Sequence, residues 1–334
     1  MMTKIYKLNN QVKHYEWGSQ KILPEFLGVE NNKGLPYAEL WMGTHNGAPS
    51  QIESGAGLVN LSDITGELPF LFKLLAIEKP LSIQVHPDKE QAVNGFKREN
   101  ETGPDINSPL RNYRDNNHKS EILCAITPFT LMAGFKKQEE ITASLADLSD
   151  DQKKLIKYFE TLYPGDNAVY TPLYFNIITL QPYQAVFLPA GVPHAYLSGF
   201  GVELMNNSDN VLRGGLSVKN IDINEFMKIV RHEPFLPEII TPNAKSKYSF
   251  SIQNEDFLLS IIHGNGEEIL SEQGPAICIV TEGELYSNEL VFKKGESFFI
   301  PKGSDQLVLK GTFTLFMASV SSMPECDKSR INTK

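Results

Sequence analysis

The chain has 334 residues, of which 41% are hydrophobic and 21% charged, and it carries a net charge of −9 at neutral pH. That length supplies apolar material for two domains, or two and a small insert. The acidic balance argues against a nucleic-acid partner, which requires a basic surface, and no apolar run approaches the ~18 residues that span a bilayer. Cys124, Cys278 and Cys326 are odd in number, far apart and outside any Cys-x-x-Cys pattern. A disulfide framework and a thiolate zinc site are therefore not expected. The first ten residues carry lysines but no apolar stretch, which predicts a cytoplasmic protein without a membrane partner.

Most of the chain reads as short strands between Gly, Pro, Asn and Asp turns. Strands are predicted at 81–86, 121–126, 174–180, 185–188, 276–281, 297–300 and 313–319. Residues 94–110 are polar and rich in Gly and Pro, and read as a long surface loop, partly helical near its start. Between 137 and 162 the period changes. Ile141, Leu145 and Leu148 are spaced i, i+4, i+7, and Leu155, Ile156, Phe159 and Leu162 are spaced i, i+1, i+4, i+7. This predicts two short helices. Another is expected at 224–230, capped by Asp222 or Asn224. A second β-rich unit runs from about 237 to 319, followed by a loose polar tail.

The two β units share a turn. Residues 187–194 read FLPAGVPH and residues 295–306 read GESFFIPKGSDQ. Each is an apolar strand, then Pro-x-Gly, then a polar residue, and the pattern is similar to the second sequence motif of the cupins, which are jelly-roll barrels. Pro ends the strand, Gly permits the turn, and the next polar side chain is aimed back into the barrel. That position is His194 in the first copy and Gln306 in the second, which predicts one metal-binding unit followed by one without a metal. The expected fold is mainly β: two cupin-like jelly-roll barrels with a small inserted helical segment. Residues 1–136 and 170–235 would form the metal-binding catalytic unit, 137–169 the helical insert, 236–322 the metal-free unit and 323–334 a flexible tail.

Alternation along 81–86 places Leu81, Ile83 and Val85 on one face and Ser82, Gln84 and His86 on the other. Gln84 and His86 can share an ion, Glu121 opens its own apolar strand, and His194 adds a second imidazole. Two His, one Glu and one Gln suit Zn2+ with an open water position, and also Fe2+ or Mn2+. His45, His232 and His263 read as ordinary hydrogen-bonded residues, Asp209 as a turn residue, and Trp17 and Trp41 as core or pocket wall.

Three longer stretches carry a family likeness: LSIQVHPD at 81–88, NYRDNNHKSE at 112–121, and PHAYLSG at 193–199 continuing through Glu203 to NSDNVLRGGLSVK at 207–219. With weaker matches at 15–18, 38–43 and 68–73, they make the chain resemble the type I phosphomannose isomerases over most of residues 1–230. The resemblance implies that Gln84, His86, Glu121 and His194 bind one zinc ion and that Arg213 is an active-site residue. Lys119, Glu203, Asp209 and Lys219 also fall at matching motif positions. The sequence departs from the usual pattern at Ser120, Leu204, Gly214 and Ser217-Val218, and its helical insert is short. The implied substrate is mannose 6-phosphate, and the expected assembly a monomer or weak homodimer.

Aldose–ketose isomerisation needs a base beside carbon and an electrophile beside the oxygens. Arg213 could stabilise the enediolate or grip a phosphate. Glu203 and Lys119 are the two candidate bases, with His118 as a proton shuttle. Lys119, Lys219 and Ser82 could contact the phosphate, with Lys73 a further candidate, and Asp209 is a substrate-binding candidate by its motif position. Two other readings remain open on the residues alone: a non-haem iron cupin dioxygenase, and a non-catalytic phosphosugar sensor.

Overall fold

The alternation along the strand Phe70–Ile77 sets the layering. Phe70, Phe72, Leu74 and Ala76 point into a core shared with Leu40, Met42, Ile122, Val202 and Leu204, and with Leu259, Ile277, Ile279, Phe299 and Phe316 from the C-terminal strands. Leu71, Lys73 and Leu75 point the other way and line a cleft. One sheet thus has an apolar face packed on a second sheet and a mixed face turned to the site.

The structure is a computed structural model that describes residues 5–55, 57–141, 145–243, 245–271, 274–303 and 306–320. The tail expected at 323–334, Cys326, and Ser304 and Asp305 of the second turn lie outside the described residues. Among the described residues the fold is mainly β, with two antiparallel sheets of eleven and nine strands. The main path of the first runs Ile239–Ile240, Ala185–Leu188, Glu121–Ala125, His194–Asn206, Phe70–Ile77, Glu39–Gly43, Gln11–Lys13. The second sheet is centred on Phe257–Leu270, Leu307–Val320 and Ala276–Ser287. It also takes in strands from the start of the chain: Tyr6 pairs opposite Phe299, and Leu8 opposite Ile52. The two sheets therefore do not divide the chain at one point.

The strand His194–Asn206 joins both layers of the first sheet. Its beginning pairs with Ile83–Val85 and Phe129–Phe135, and its remainder with Phe70–Ile77 and Glu121–Ala125. The changeover has a register shift after Tyr196 and then Gly199 at φ +132°, where a Cβ would stand 2.7 Å from Phe129 Cα. Both the backbone angle and the close approach require glycine. Gly199→Ala is expected to lower the unfolding free energy by about 2 kcal/mol or more, read from urea denaturation. An unchanged midpoint would remove this account of the bend.

Two expectations need correction, and a third gains its bounds. The stretch at 94–110, expected as a loop partly helical near its start, is helical as far as Thr102 and irregular after it: Lys89–Thr102 is helical, with Asp88 and Gln91 forming a capping box. Its Gly95 is there because a Cβ would strike the ring of Tyr113 at 2.4 Å, so the glycine marks a contact, not a break. Of the two helices expected in 137–162, only the second is an α-helix, Asp150–Leu162, capped by Ser149. The first is two single 3-10 turns, Gln138–Glu140 and Leu145–Asp147, among the described residues. The strand expected at 81–86 is regular only over Ile83–Val85, and Leu81 lies on the cleft wall. The helix expected at 224–230 is Ile223–Ile229, capped by Asp222.

Both Pro-x-Gly turns are formed, with Gly191 at φ +83° and Gly303 at φ +72°, the left-handed angles that favour glycine. Gln306, after the second turn, is exposed. Gln306→Ala should leave turnover unchanged and shift stability by no more than about 0.5 kcal/mol. A large loss of turnover would place catalytic chemistry in the second sheet. No helix among the described residues is long and apolar enough to cross a membrane.

Candidate active site

The first turn and the ends of three strands meet at one point. Gly191 N donates to His86 O at 2.9 Å, which ties the turn to the end of the Ile83–Val85 strand. In the ladder, Gln84 stands opposite His194 on one side and Arg213 on the other. Glu121 stands between Leu188 and Met205. These registers bring His86, Glu121 and His194, all buried, to within 4.8 Å of one another by their ligand atoms.

Hydrogen bonds behind the two imidazoles fix their tautomers. His86 Nδ1 lies 2.8 Å from Asn210 O and His194 Nδ1 lies 2.9 Å from Val192 O. A carbonyl oxygen cannot donate, so Nδ1 carries the proton in each ring. Both Nε2 atoms are buried and have no hydrogen-bond partner. They point at one carboxylate: His86 Nε2 is 3.2 Å from Glu121 Oε1, and His194 Nε2 is 3.3 Å from Glu121 Oε2. Burial, then the nearby Lys119 ammonium, push His86 down to about 3, so its ring is neutral. Lone pairs facing lone pairs repel unless a cation lies among them. The donor set of two imidazoles and a carboxylate, each oriented from behind, suits a transition-metal ion. The Gln84 amide lines the same cleft.

Charge surrounds this cluster. Lys119 Nζ is 3.1 Å from Glu121 Oε1, and the Tyr196 hydroxyl donates to Glu121 Oε2 at 3.2 Å. Burial alone would raise the Glu121 pKa, but Lys119 and His86 hold it well below the usual carboxylate range. Deeper in the cleft, Lys73 Nζ donates to Glu203 Oε2 at 3.0 Å and lies 4.0 Å from Glu39, which also accepts from the Trp41 indole N–H. Glu203 is raised above the usual range, first by burial and then by Glu121. Lys73 is raised despite burial, because Glu203 and Glu39 hold its proton. Buried, mutually perturbed acids and bases beside an open cleft are the pattern of a catalytic site.

The cleft has a volume of about 1200 Å3, enough for a small polar ligand, and Arg213, Arg114, Lys219 and Ser82 line it. Among the described residues Arg213 has no hydrogen-bond or ion-pair partner. Burial and the neighbouring Arg114 lower its pKa, as expected where cationic groups gather without an anion between them. Lys219 Nζ lies 5.3 Å from the ring centre of Tyr15, and its pKa is lowered by burial and then by Arg213.

The comparisons with known proteins agree with this geometry. The mannose-6-phosphate isomerase of Escherichia coli K12 is 35% identical over an alignment 378 positions long, covering 91% of this chain and 97% of that one. The chain belongs to the type I phosphomannose isomerase family. The model of that family's catalytic domain matches residues 5–138. The mannose-6-phosphate isomerase of Salmonella typhimurium is 35% identical over an alignment 388 positions long, covering 94% of this chain and 98% of that one. A crystal structure of a zinc-bound mannose 6-phosphate isomerase is 33% identical with a TM-score of 0.84, covering 95% of this chain and 99% of that chain.

Of the residues singled out in the sequence, Ser82, Gln84, Glu121, Lys73, Lys119, Glu203, Asp209, Arg213 and Lys219 line the cleft, and His86 and His194 stand against Glu121. His118 does not line it. Its side chain is turned away, with Nε2 3.0 Å from Asp256 Oδ2, so the proton-shuttle reading has no geometric support. Asp209 is more than a turn residue: its Oδ1 lies 3.2 Å from the buried His45 Nε2. That hydrogen bond lowers the Asp209 pKa against the effect of burial. His45, His232 and His263 each have a hydrogen-bond partner. Four contributors went unread: Asn210, Tyr196, Glu39 and Arg114. Asn210, fully buried, presents its carbonyl to His86 and its side chain to the backbone of Arg114, Asp115 and Asn117. All four lie in the stretches that carry the family likeness: Arg114 at 112–121, Asn210 at 207–219, Tyr196 at 193–199 and Glu39 at 38–43. A second cue was present in the polar run at 207–210, which has no core to fill.

Proposed function

We propose that the chain is a cytoplasmic, zinc-dependent mannose-6-phosphate isomerase, active as a monomer or weak homodimer, that interconverts mannose 6-phosphate and fructose 6-phosphate. The observation that carries this reading is the pair of buried, unpartnered imidazole Nε2 atoms facing one carboxylate beneath a cleft lined with cationic groups. One zinc ion would be held by Gln84, His86, Glu121 and His194. When bound, it supplies a Lewis-acidic charge that polarises oxygen.

The remaining chemistry belongs to the side chains. Arg213, Lys219 and Ser82 take the phosphate and orient the open-chain sugar, with Arg213 placed to stabilise developing negative charge on oxygen. A base removes the C2 proton of the aldose, the electron pair moves into the C1–C2 bond, and O1 is protonated to give an enediol. The proton is then delivered to C1 as O2–H is lost, leaving the C2 ketone. Glu203 and Lys119 are the two proton carriers within the cleft. The raised pKa of Glu203 suits a group that both takes and returns a proton. The Lys73 ammonium on Glu203 keeps the buried pair close to neutral.

The chain is best divided into two cupin-like jelly-roll units whose bounds do not follow the sheets, since Tyr6–Asn9, Gln51–Ser54 and Gly57–Asn60 pair in the second sheet and Ile239–Ile240 in the first. The first unit, from 1–136 and 170–235, carries the site, 137–169 is a helical insert, and 236–322 is a unit without metal. The repeated Pro-x-Gly turn and the likeness to the zinc-bound relative support this division.

The reading is tested by converting mannose 6-phosphate in D2O. Fructose 6-phosphate carrying deuterium at C1 is the expected product. Product formed without solvent deuterium would require either a base that returns the same proton before it exchanges or a hydride shift, and absence of product in a metal-replete sample would remove the assignment.

A further inference from the structure

The loop that precedes Glu121 is fastened to the second sheet by one carboxylate. Asp256 stands immediately before the strand Phe257–Leu270, whose first residue is fully buried in the core between the sheets. The turn holding it is rigid, because Asn254 Oδ1 accepts from both Asp256 N, at 2.8 Å, and Phe257 N, at 3.2 Å. From there, Asp256 Oδ2 accepts from two directions. Asn206 Nδ2 donates to it at 2.6 Å, and His118 Nε2 lies 3.0 Å away.

Each of those partners leads into the site. Asn206 ends the strand that carries His194 and Glu203, and it is bonded twice to Ser120: Ser120 N donates to Asn206 Oδ1 at 2.9 Å, and Asn206 N donates to Ser120 O at 3.2 Å. His118 precedes Lys119, whose backbone N–H donates to Pro87 O at 3.2 Å and whose ammonium sits 3.1 Å from Glu121. Residues 118–121 are therefore held at alternate positions. His118 and Ser120 are fixed from the Asp256 side, while Lys119 and Glu121 face the cleft.

We propose that Asp256 is a positioning residue for the reaction: by holding His118 and Asn206 on one oxygen it sets where the Lys119 ammonium stands in the cleft. This gives the second sheet a part in catalysis without any residue of its own touching the substrate. It also accounts for an ionisable side chain at position 118 that does not line the cleft. The requirement is for an oxygen with two acceptor sites at that point. An amide oxygen offers two lone pairs as a carboxylate oxygen does, so asparagine should serve and alanine should not.

The kinetic arm of the test rests on the isomerase reading; the structural arm does not. Wild type, Asp256→Ala and Asp256→Asn would be compared in kcat, KM, bound zinc, and amide hydrogen exchange over residues 116–122. Asp256→Ala is expected to exchange faster over 116–122 and to lose at least about tenfold in kcat. Its KM should stay within about twofold and its zinc content at the wild-type level, and Asp256→Asn should restore both exchange and turnover. If Asp256→Ala does not fold, Asp256→Ser, too short to reach both partners, takes its place. Wild-type exchange in the alanine variant, a turnover loss that only follows lost zinc, or no rescue by asparagine would each overturn the proposal. A wild-type protein with no isomerase activity would instead defeat the functional reading, and the exchange arm would still decide whether Asp256 holds the loop.

Discussion

His194→Ala is expected to abolish stable metal binding and to reduce isomerisation to background. His194 supplies one of the two imidazole Nε2 atoms aimed at the Glu121 carboxylate, and its ring is locked by the bond from Nδ1 to Val192 O. Without it, His86 and Glu121 remain as a two-point site beside the Gln84 amide. Even loss of a group that only orients a ligand lowers metal affinity about 10–100-fold, and loss of the ligand itself should exceed that. Metal content of the purified variant, measured beside its turnover, checks this. The fold should persist, because the Pro-x-Gly turn and the ladder at Gln84 are built by backbone groups. Stoichiometric zinc and ordinary turnover in this variant would refute the metal assignment.

Arg213→Ala is expected to behave differently: full metal content and a loss of roughly 10²–10³ in kcat, the scale seen when a preorganised group that meets developing negative charge is removed. Arg213 opposes Gln84 in the ladder yet makes no bond to the His–Glu–His cluster, and among the described residues it has no hydrogen-bond or ion-pair partner of its own. A guanidinium left unpaired in a half-buried cleft is waiting for an anion that the chain does not provide. Arg213→Lys should recover only part of the activity, since a lysine ammonium cannot reproduce the planar fork. Loss of metal in Arg213→Ala would assign the residue a structural role instead.

The parts of the site legible in the sequence were those where backbone period and side-chain chemistry agree. Gln84 and His86 share a face because strands alternate, and His194 follows a turn whose glycine needs a left-handed angle. What escaped depended on contacts distant in sequence. Asn210 matters because it braces His86 across the fold, and Glu39 because Lys73 reaches it from the neighbouring strand, beside the bond from Trp41 two residues along its own. His118 shows the reverse failure: its motif position suggested chemistry, but tertiary packing turned it toward Asp256. Among the elements, the helix Lys89–Thr102 was obscured by its polar composition and by Gly95, although the Asp88–Gln91 capping pair was present. The entry of Tyr6–Asn9 into the C-terminal sheet left no local trace, because strand pairing between distant segments is set by which apolar faces meet.

The most direct test of the account is turnover of mannose 6-phosphate before chelation, after it, and after stoichiometric zinc is returned, with bound metal measured at each stage. Activity that falls with the bound zinc and recovers as one equivalent per chain is restored is the predicted result. Full activity in a metal-free, folded sample would contradict a reaction centred on His86, Glu121 and His194.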